Sequence, residues 1–286
     1  MANLKEIRNR ISSVSSTMKI TSAMKMVSAA KLKKAQDAIT AMRPYSEKLT
    51  DLMSNFSDVI SSSSISYLSE TRDVKNVLVV SICSNKGLCG AFNSNVIKQS
   101  LNLKNEEEFK GANFSYLTIG KKANDTLSKT EKIISNHSNV YDNLVYDEVA
   151  KVSEKIVEEF SLGNFDKVLI VFNSFKNAAN QIVKTEQFLP IENIDETNKS
   201  GDYIFEPSME QIVSELVPKS LKIQLFKSIR DSFAGEHGAR MTAMHKATDN
   251  ATELRDELKL TYNKARQAAI TNEILEIVSG AEALNG

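Results

Sequence analysis

The chain has 286 residues, enough for a large core or for two separate parts, and its 36 basic and 36 acidic residues leave no net charge. Its two cysteines, Cys83 and Cys89, are too few for a disulfide framework and their spacing fits no common metal site, so a reducing compartment is expected. The N-terminus lacks the apolar core of a signal peptide, and the longest aliphatic run, at residues 77–80, is too short to cross a bilayer.

Residues 1–60 predict one long coiled-coil helix. Glycine is absent from the first 86 residues, and the one proline there, Pro44, is expected to bend the helix without ending it. The helix is predicted to stop before the serine run at 61–64. Apolar residues at alternating spacings of three and four predict a seam for a partner helix. Its members are Leu4, Ile7, Ile11, Val14 and Met18, followed after a shift by Ile20, Met24, Val27 and Ala30.

The N-terminal helix is strongly basic. Residues 1–36 carry eight lysines and arginines against the single acid Glu6, a local charge of +7, and "ITSAMKMVSAAKLKKAQ" at 20–36 contains no acid, glycine or proline. Such a face is solvated, or it contacts nucleic acid or an acidic protein. The neutral overall charge and the absence of interleaved aromatic residues disfavour nucleic acid. An acidic protein partner is therefore the more specific of the remaining interpretations.

The middle of the chain, residues 74–205, predicts a Rossmann-like α/β domain with a mostly parallel sheet. Strands are predicted from aliphatic runs at 74–83, 114–120, 166–175 and 182–189. Helical patterns at 90–103, 121–129 and 144–161 separate the first three of these strands, which is typical of parallel α/β sheets. Residues 193–208 read as a long polar loop.

Residues 210–286 predict a second long helix, because no proline follows Lys219. Its predicted seam consists of Ala247, Ala251, Leu254, Leu258, Thr261, Ala265, Ala268, Asn272 and Leu275. Neither terminal helix can bury its stripe alone, so we expect the two to pair with each other. Because the middle domain connects them, the pair should be an antiparallel coiled coil.

The segment "CSNKGLCGAFN" at 83–93 is the main candidate for chemistry, since it lies where a strand turns into a helix, as phosphate-binding loops do. Gly87 and Gly90 are three residues apart and Lys86 precedes both, which matches neither nucleotide-binding glycine motif. A tight structural turn is the favoured interpretation. The three histidines have no metal-binding spacing, and no nucleophile motif is present, so we expect neither metal nor catalysis.

Four blocks of the sequence, in order from end to end, resemble the γ subunit family of F-type ATP synthases: "ITSAMKMVSAAKLKKAQ", "NKGLCGAFN", "RMTAMHKATDNA" and "YNKARQAAITNEILEIVSGAEAL". The resemblance implies a central rotary shaft that couples ion flow to ATP synthesis or hydrolysis and regulates ATPase activity. It also implies partners: three α and three β subunits around the shaft, with the ε subunit and the membrane c-ring against the α/β domain. The nucleotide sites belong to α and β, so the chain itself would be non-catalytic and without a cofactor.

The resemblance also implies which residues contact partners. Met24 and Lys25 would lie at the level of an acidic lever of the β subunit, and the further basic candidates are Lys31, Lys33 and Lys34. The residues that would contact β loops nearer the top of the ring are Arg266, Gln267, Thr271 and Glu273. The implied location is the cytoplasmic face of the bacterial plasma membrane, bound through partners without direct insertion.

Two departures from the family pattern concern the central turn, where Asn85 and Ala91 replace the common aspartate and glycine. No cysteine pair occurs in the loop at 193–208, so thiol control is not expected. From the residues alone two other functions stay open. One is a nucleotide-binding enzyme that uses the turn at Gly87 and Gly90, and the other is a non-rotary coiled-coil scaffold.

Overall fold

The computed structural model describes residues 4–55, 65–178, 180–191, 206 and 208–285. The predicted helix end in the serine run at 61–64 and most of the predicted polar loop at 193–208 lie outside these residues. The chain forms two compact units. The terminal-helix unit consists of Met1–Val27 with Met241–Gly286, and the sheet unit consists of Ser28–Arg240.

Long helices begin and end the chain, and shorter helices alternate with strands between them. Single turns of 3-10 helix apart, the elements in chain order are α1 (Leu4–Asn55), β1 (Asn76–Ile82), α2 (Phe92–Asn102), β2 (Asn113–Ile119), α3 (Lys121–Leu127), β3 (Ile133–Asn136), α4 (Ser138–Asp142), α5 (Tyr146–Ser161), β4 (Lys167–Phe175), β5 (Gln181–Leu189) and α6 (Met209–Asn285). Pro44 lies inside α1 and does not end it, as predicted, and Pro218 lies inside α6.

The sheet has five strands in the order β3-β2-β1-β4-β5. The β1 strand runs parallel to β2 and β4, β3 runs parallel to β2, and β5 is antiparallel to β4. The predicted mostly parallel α/β sheet is thus confirmed, and all four predicted strands are present. The β3 strand was not predicted, because it is only four residues long and its side chains alternate between half-buried and exposed.

Both faces of the sheet are covered, so its central strands are apolar throughout. On β1, Leu78, Val80 and Ile82 contribute to one core, together with apolar residues of α4, α5 and α6. Val77 and Val79 contribute to a second core with α2 and α3 on the opposite face, as the two-residue period of a strand requires.

In the sheet unit α6 packs directly on the first core. Its buried residues recur every four positions and are at most 2% exposed: Val213, Val217, Leu221, Leu225 and Ile229. A spacing of four places them on one slowly turning stripe of the helix. This stripe anchors the start of α6 to the sheet.

In the terminal-helix unit α1 and α6 run antiparallel. Arg8 contacts Tyr262, and Thr21 contacts Thr248, so residue numbers fall along α6 as they rise along α1. The predicted antiparallel coiled coil is confirmed.

The predicted shift of the α1 seam after Met18 is wrong. Ile20 and Val27 are 60% and 57% exposed, and Ala30 is exposed as well. The three-and-four spacing instead continues through Thr21 and Lys25, and in the sheet unit the same spacing continues with Ser28, Leu32 and Ala35. No shift is needed because the Thr21 hydroxyl, which is buried, has a hydrogen-bond partner in Thr248, 2.8 Å away.

The α6 seam was also predicted only in part. The residues that line it are Met244, Thr248, Ala251, Arg255, Leu258, Tyr262 and Ala265. The predicted members Leu254, Thr261, Ala268, Asn272 and Leu275 are exposed. Arg255 and Tyr262 occupy seam positions because a long stem and an aromatic ring cover apolar surface while their polar ends reach the edge.

Candidate partner-contact surfaces

Met24 and Lys25 are neighbours on α1 and both are half-buried. The Lys25 ammonium lies 3.4 Å from Nδ1 of His245. This ring nitrogen of His245 also lies 3.3 Å from a carboxylate oxygen of Asp249. One ring nitrogen cannot serve both groups, since it either accepts from Lys25 or donates to Asp249. The Lys25 ammonium therefore has a partner within the chain, His245, for which Asp249 competes.

The other basic candidates of α1 lie in the sheet unit and are exposed. Lys31 and Lys34 are three residues apart and share a face of the helix, whereas Lys33 points to another side, 3.7 Å from Asp37. An exposed pair of this kind stabilises by about 0 to 1 kcal/mol. Lys31 and Lys34 thus form a small cationic face, and Lys33 is a separate candidate.

Exposed apolar side chains accompany the cations of α1. Ile20, Met26 and Val27 are all more than half exposed. The sequence interpretation assigned Ile20 and Val27 to the seam and did not single out Met26. Counting the heptad onwards through Thr21 would have left all three outside the seam, and that was the available signal.

The predicted contact residues near the C-terminus are all exposed: Arg266, Gln267, Thr271 and Glu273. They follow Ala265, the last seam position, and every described side chain from residue 266 to 283 is exposed. Ile270, Ile274 and Ile277 recur at spacings of four and three on this segment and are about half exposed or more. An apolar stripe of this kind requires a partner surface.

The turn between β1 and α2 is held from within the chain. The Ser84 hydroxyl donates to the carbonyl of Lys86 at 2.6 Å, and the Ser84 backbone N–H donates to the side-chain oxygen of Asn93 at 2.9 Å. Leu88 has a positive φ of 63° and is 65% exposed, so the turn presents an apolar side chain at its tip. The sequence interpretation did not select Leu88.

This turn does not have the geometry of a phosphate-binding loop. The Arg240 guanidinium donates to the carbonyls of Lys86 and Gly87, at 3.0 and 3.1 Å. A phosphate-binding loop directs N–H groups, not carbonyls, at its ligand. In sheets of this order the ligand crevice lies at the carboxyl ends of β1 and β4, and there Gly235 of α6 packs against Phe92. The geometry supports the structural-turn interpretation over a nucleotide site.

The two cysteines lie beside this turn and are buried. Burial is the main cause that raises the pKa of each thiol above its ordinary value, and for Cys83 the proximity of Cys89 adds to it. Because the thiolate is the reactive form, both thiols are unreactive at neutral pH.

His237 is the most unusual polar side chain of the sheet unit. It is 5% exposed, both ring nitrogens lack a hydrogen-bond partner, and its ring lies edge-on to Phe233 with centroids 4.5 Å apart. Burial, together with the charges of Arg240 and Lys31, lowers the pKa of His237 to about 4. The ring is neutral at pH 7 and acts as a packing group.

Among the described residues no group of three histidine, cysteine, aspartate or glutamate side chains is arranged to hold a metal ion. Within the same part of the chain no helix combines the length and the apolar character that crossing a membrane requires.

The chain is similar to known proteins over its whole length. Residues 3–284 match the family described as ATP synthase. The ATP synthase gamma chain of Flavobacterium psychrophilum is 65% identical, and that of Geobacter metallireducens is 43% identical, each with full coverage of both chains.

Solved structures show the same fold. A chain of the Euglena gracilis mitochondrial ATP synthase, in the OSCP/F1/c-ring structure, is 20% identical with a TM-score of 0.68, covering 98% of this chain and 94% of that one. A chain of the Tetrahymena thermophila central stalk and c-ring is 25% identical with a TM-score of 0.56, covering 80% and 99%. Because the family match spans residues 3–284 and bacterial gamma chains are up to 65% identical over their full length, the chain belongs to the ATP synthase gamma-chain family.

Proposed function

We propose that this gamma chain is the rotating central shaft of an ATP synthase and couples ion flow through a membrane ring to ATP synthesis or hydrolysis. As a gamma chain it is a non-catalytic subunit of that complex. One observation carries the proposal: α6 continues from residue 266 to 283 with every described side chain exposed, apolar ones included. A helix of that character is covered only when other subunits surround it.

The partners follow from the proposal. Three alpha and three beta subunits surround the paired helices, and the epsilon subunit and the membrane c-ring contact the sheet unit. The chain is peripheral and lies at the cytoplasmic face of the bacterial plasma membrane, held there by these subunits.

The lower contact group consists of Met24 and Lys25, with Lys31, Lys33 and Lys34 as further members. Its complement is an acidic lever on the beta subunit, because the group carries four lysines and the exposed apolar side chains of Ile20, Met26 and Val27 flank Lys25 along the same helix. Lys25 supports this role in a specific way, since its ammonium lies at a nitrogen of His245 that Asp249 also contacts. When the Lys25 ammonium leaves the beta subunit it can contact His245 again, so the contact with beta can be released at each rotary step at little cost in free energy.

The upper contact group consists of Arg266, Gln267, Thr271 and Glu273. These side chains are exposed beyond the last seam residue, so each is available to beta loops as the shaft turns. Exposed charge pairs stabilise by about 0 to 1 kcal/mol, which suits contacts that must exchange among three beta subunits.

Co-expression with its own alpha and beta subunits tests the proposal directly. We expect an assembly of three alpha, three beta and one gamma chain that hydrolyses ATP and rotates. A chain that purifies apart from alpha and beta would instead be a coiled-coil scaffold, and ATP binding by the isolated chain would favour the nucleotide-binding alternative.

Charge reversal at Lys25 tests the lower contact group. In membrane vesicles Lys25→Glu should lower ATP synthesis per proton more than ATP hydrolysis, because it alters a contact of the shaft and no nucleotide site. Lys259→Glu is the matched control, since Lys259 is an exposed lysine of the same unit outside both groups. Equal effects of the two substitutions on coupling would remove Lys25 from the proposed contact.

A further inference from the structure

Helix α6 meets two loops at the carboxyl edge of the sheet, near the end of the sheet unit. On one side it approaches the connection between β4 and β5 without intervening side chains. A Cβ atom added to Gly238 would lie 3.2 Å from both Cα and the carbonyl oxygen of Ala178. A Cβ atom added to Gly235 would lie 3.3 Å from side-chain atoms of Gln181 and Phe92. The helix backbone therefore fits directly against this loop.

The residues that contact these two glycines are held in place by hydrogen bonds. The side-chain amide of Gln181 donates to the carbonyls of Asn177 and Ala178, at 3.3 and 3.1 Å. Asn173, which is almost fully buried on β4, donates to the carbonyl of Phe92 at 3.1 Å. Because the glycines meet backbone and hydrogen-bonded groups, the loop cannot move aside easily for a larger residue.

On its other side α6 holds the turn between β1 and α2. Arg240 is 7% exposed, and its guanidinium donates to the carbonyls of Lys86 and Gly87 and to the carboxylate of Glu236, one helical turn earlier. Glu236 is 5% exposed. A guanidinium satisfies three acceptors in fixed directions, which a point charge such as lysine does not do.

The two contacts lie on nearly opposite sides of the helix. At about 100° per residue, the glycine pair and the Glu236–Arg240 pair are centred about 150° apart around the helix axis. Contacts so placed oppose rotation of the helix in either direction. We propose that Gly235, Gly238, Glu236 and Arg240 form a clasp that fixes the rotation of α6 about its own axis relative to the sheet, so that both turn as one body.

The clasp supplies something that the rest of the α6 packing does not. N-terminal to the clasp, α6 contacts the sheet mainly through the apolar stripe from Val213 to Ile229. Apolar packing of this kind is not directional. A buried ion pair adds little net stability, but its hydrogen bonds specify one orientation. Resting on the proposed function, the clasp lets torque pass between the sheet unit and α6 without slip, and Gly238 and Arg240 are its positioning residues.

Single-molecule rotation of the complex assembled with its own alpha and beta subunits tests the clasp. A probe is attached to the sheet unit, and its thermal angular fluctuation is recorded while the complex pauses with inhibited nucleotide turnover. Arg240→Met removes one of the two sides of the clasp and should raise the mean-square angular fluctuation about twofold. Arg240→Lys should raise it less, because a lysine keeps the charge but not the three directed hydrogen bonds. Arg230→Met is the matched control, because Arg230 belongs to the same helix and its guanidinium lies over the Phe226 ring.

Gly238→Ala tests the opposite side of the clasp, with Gly280→Ala as the control for helix propensity in the isolated chain, where a Cβ atom at Gly280 meets open space. The clasp predicts a wider fluctuation for the Gly238→Ala complex than for the wild-type complex. Unchanged fluctuation in assembled Arg240→Met and Gly238→Ala complexes would overturn the clasp, even if the isolated variants melted at lower temperature. A wild-type chain that does not rotate with alpha and beta would overturn the proposed function instead.

Discussion

One helix, α6, passes through two environments that differ in nearly every respect. Along residues 213–229 it buries a stripe of large aliphatic side chains against the sheet. Along residues 244–265 it shares a seam with α1. Of the α6 residues in this seam only Met244 and Ala251 are buried, and Arg255 and Tyr262 take positions that an ordinary coiled coil gives to leucine.

The difference separates stability from function. A fully buried leucine stabilises by about 1.5 to 3 kcal/mol relative to an exposed one, so the first segment anchors the fold. The seam buries little and leaves most of each helix free, which a shaft needs if its outer faces are to contact several subunits in turn. Four predictions test this contrast, beginning with the anchored segment.

The largest expected effect is the loss of a buried leucine in the anchored segment. Leu225 is fully buried, so Leu225→Ala should lower the free energy of unfolding of the isolated chain by about 3 to 4 kcal/mol, because it leaves a cavity. Urea denaturation measures it. The control, Leu254→Ala, removes an exposed leucine from the same helix and should cost less than about 0.5 kcal/mol. Similar losses in both variants would contradict the contrast.

The next effect is a pH dependence that originates at His237, in the same unit as the anchored segment and a few residues beyond it. The pKa of His237 is lowered to about 4 in the folded chain, whereas the unfolded chain takes up the proton near its ordinary value of 6.5. The unfolded state therefore binds more protons between these values, and stability falls as the pH falls. We expect the free energy of unfolding to drop by about 2 kcal/mol from pH 7 to pH 5 on account of His237 alone.

The variant His237→Phe keeps the aromatic contact with Phe233 and removes the titrating group. Its denaturation curves should lose that part of the pH dependence, whereas His245→Gln, at an exposed histidine, should keep it. If His237→Phe and the wild-type chain lose stability in parallel on acidification, His237 is not held neutral by its surroundings.

The sheet and the two long helices were largely predictable from sequence, whereas the packing of residues 213–229 on the sheet was not predicted. Strands β1 and β4 are covered on both faces and therefore contain aliphatic runs. The absence of glycine before residue 87 indicated α1, and the absence of proline after Lys219 indicated α6. The short strand β3 was missed because four residues with alternating exposure carry too weak a pattern. Local composition is informative where burial is complete.

The seam and the clasp were less predictable, because both depend on contacts between residues far apart in sequence. The buried Thr21 hydroxyl bonds the Met18 carbonyl within its own helix, but its other partner, Thr248, lies 227 positions away in sequence. The role of Arg240 depends on the turn at Lys86 and Gly87, more than 150 positions earlier, and no local sequence pattern indicates that contact. The partner-contact residues remain predictions, since their complements belong to other subunits.

A smaller effect is expected within the seam. Thr21→Val leaves the hydroxyl of Thr248 without its cross-helix partner and should cost about 1 kcal/mol in unfolding free energy. The double variant Thr21→Val with Thr248→Val replaces both hydroxyls by methyl groups and should recover most of that loss. A double-mutant cycle in urea measures the coupling. Additive losses would mean that the two hydroxyls do not interact.

The smallest effect on the isolated chain is expected at Arg266, just beyond the last seam residue. Arg266 is exposed, so Arg266→Ala should change the unfolding free energy of the isolated chain by less than about 0.5 kcal/mol and should leave its helicity unchanged. The effect should appear only in the complex, as lower turnover and weaker retention of the gamma chain. There the substitution removes a charge-assisted hydrogen bond to a beta subunit of about 1.5 to 3 kcal/mol at one rotary angle.

The control for Arg266 is Arg255→Ala, in the same helix but within the seam. Arg255 is half-buried, and its guanidinium lies 3.4 Å from the sulfur of Met18, so its loss should destabilise the isolated chain measurably. Thermal unfolding of the two isolated variants and rotation of the two assembled complexes separate the roles. If Arg266→Ala destabilised the isolated chain as Arg255→Ala does, yet rotated normally once assembled, Arg266 would be a structural residue. The exposed end of α6 would then belong with the seam, and a partner surface would not be needed to explain it.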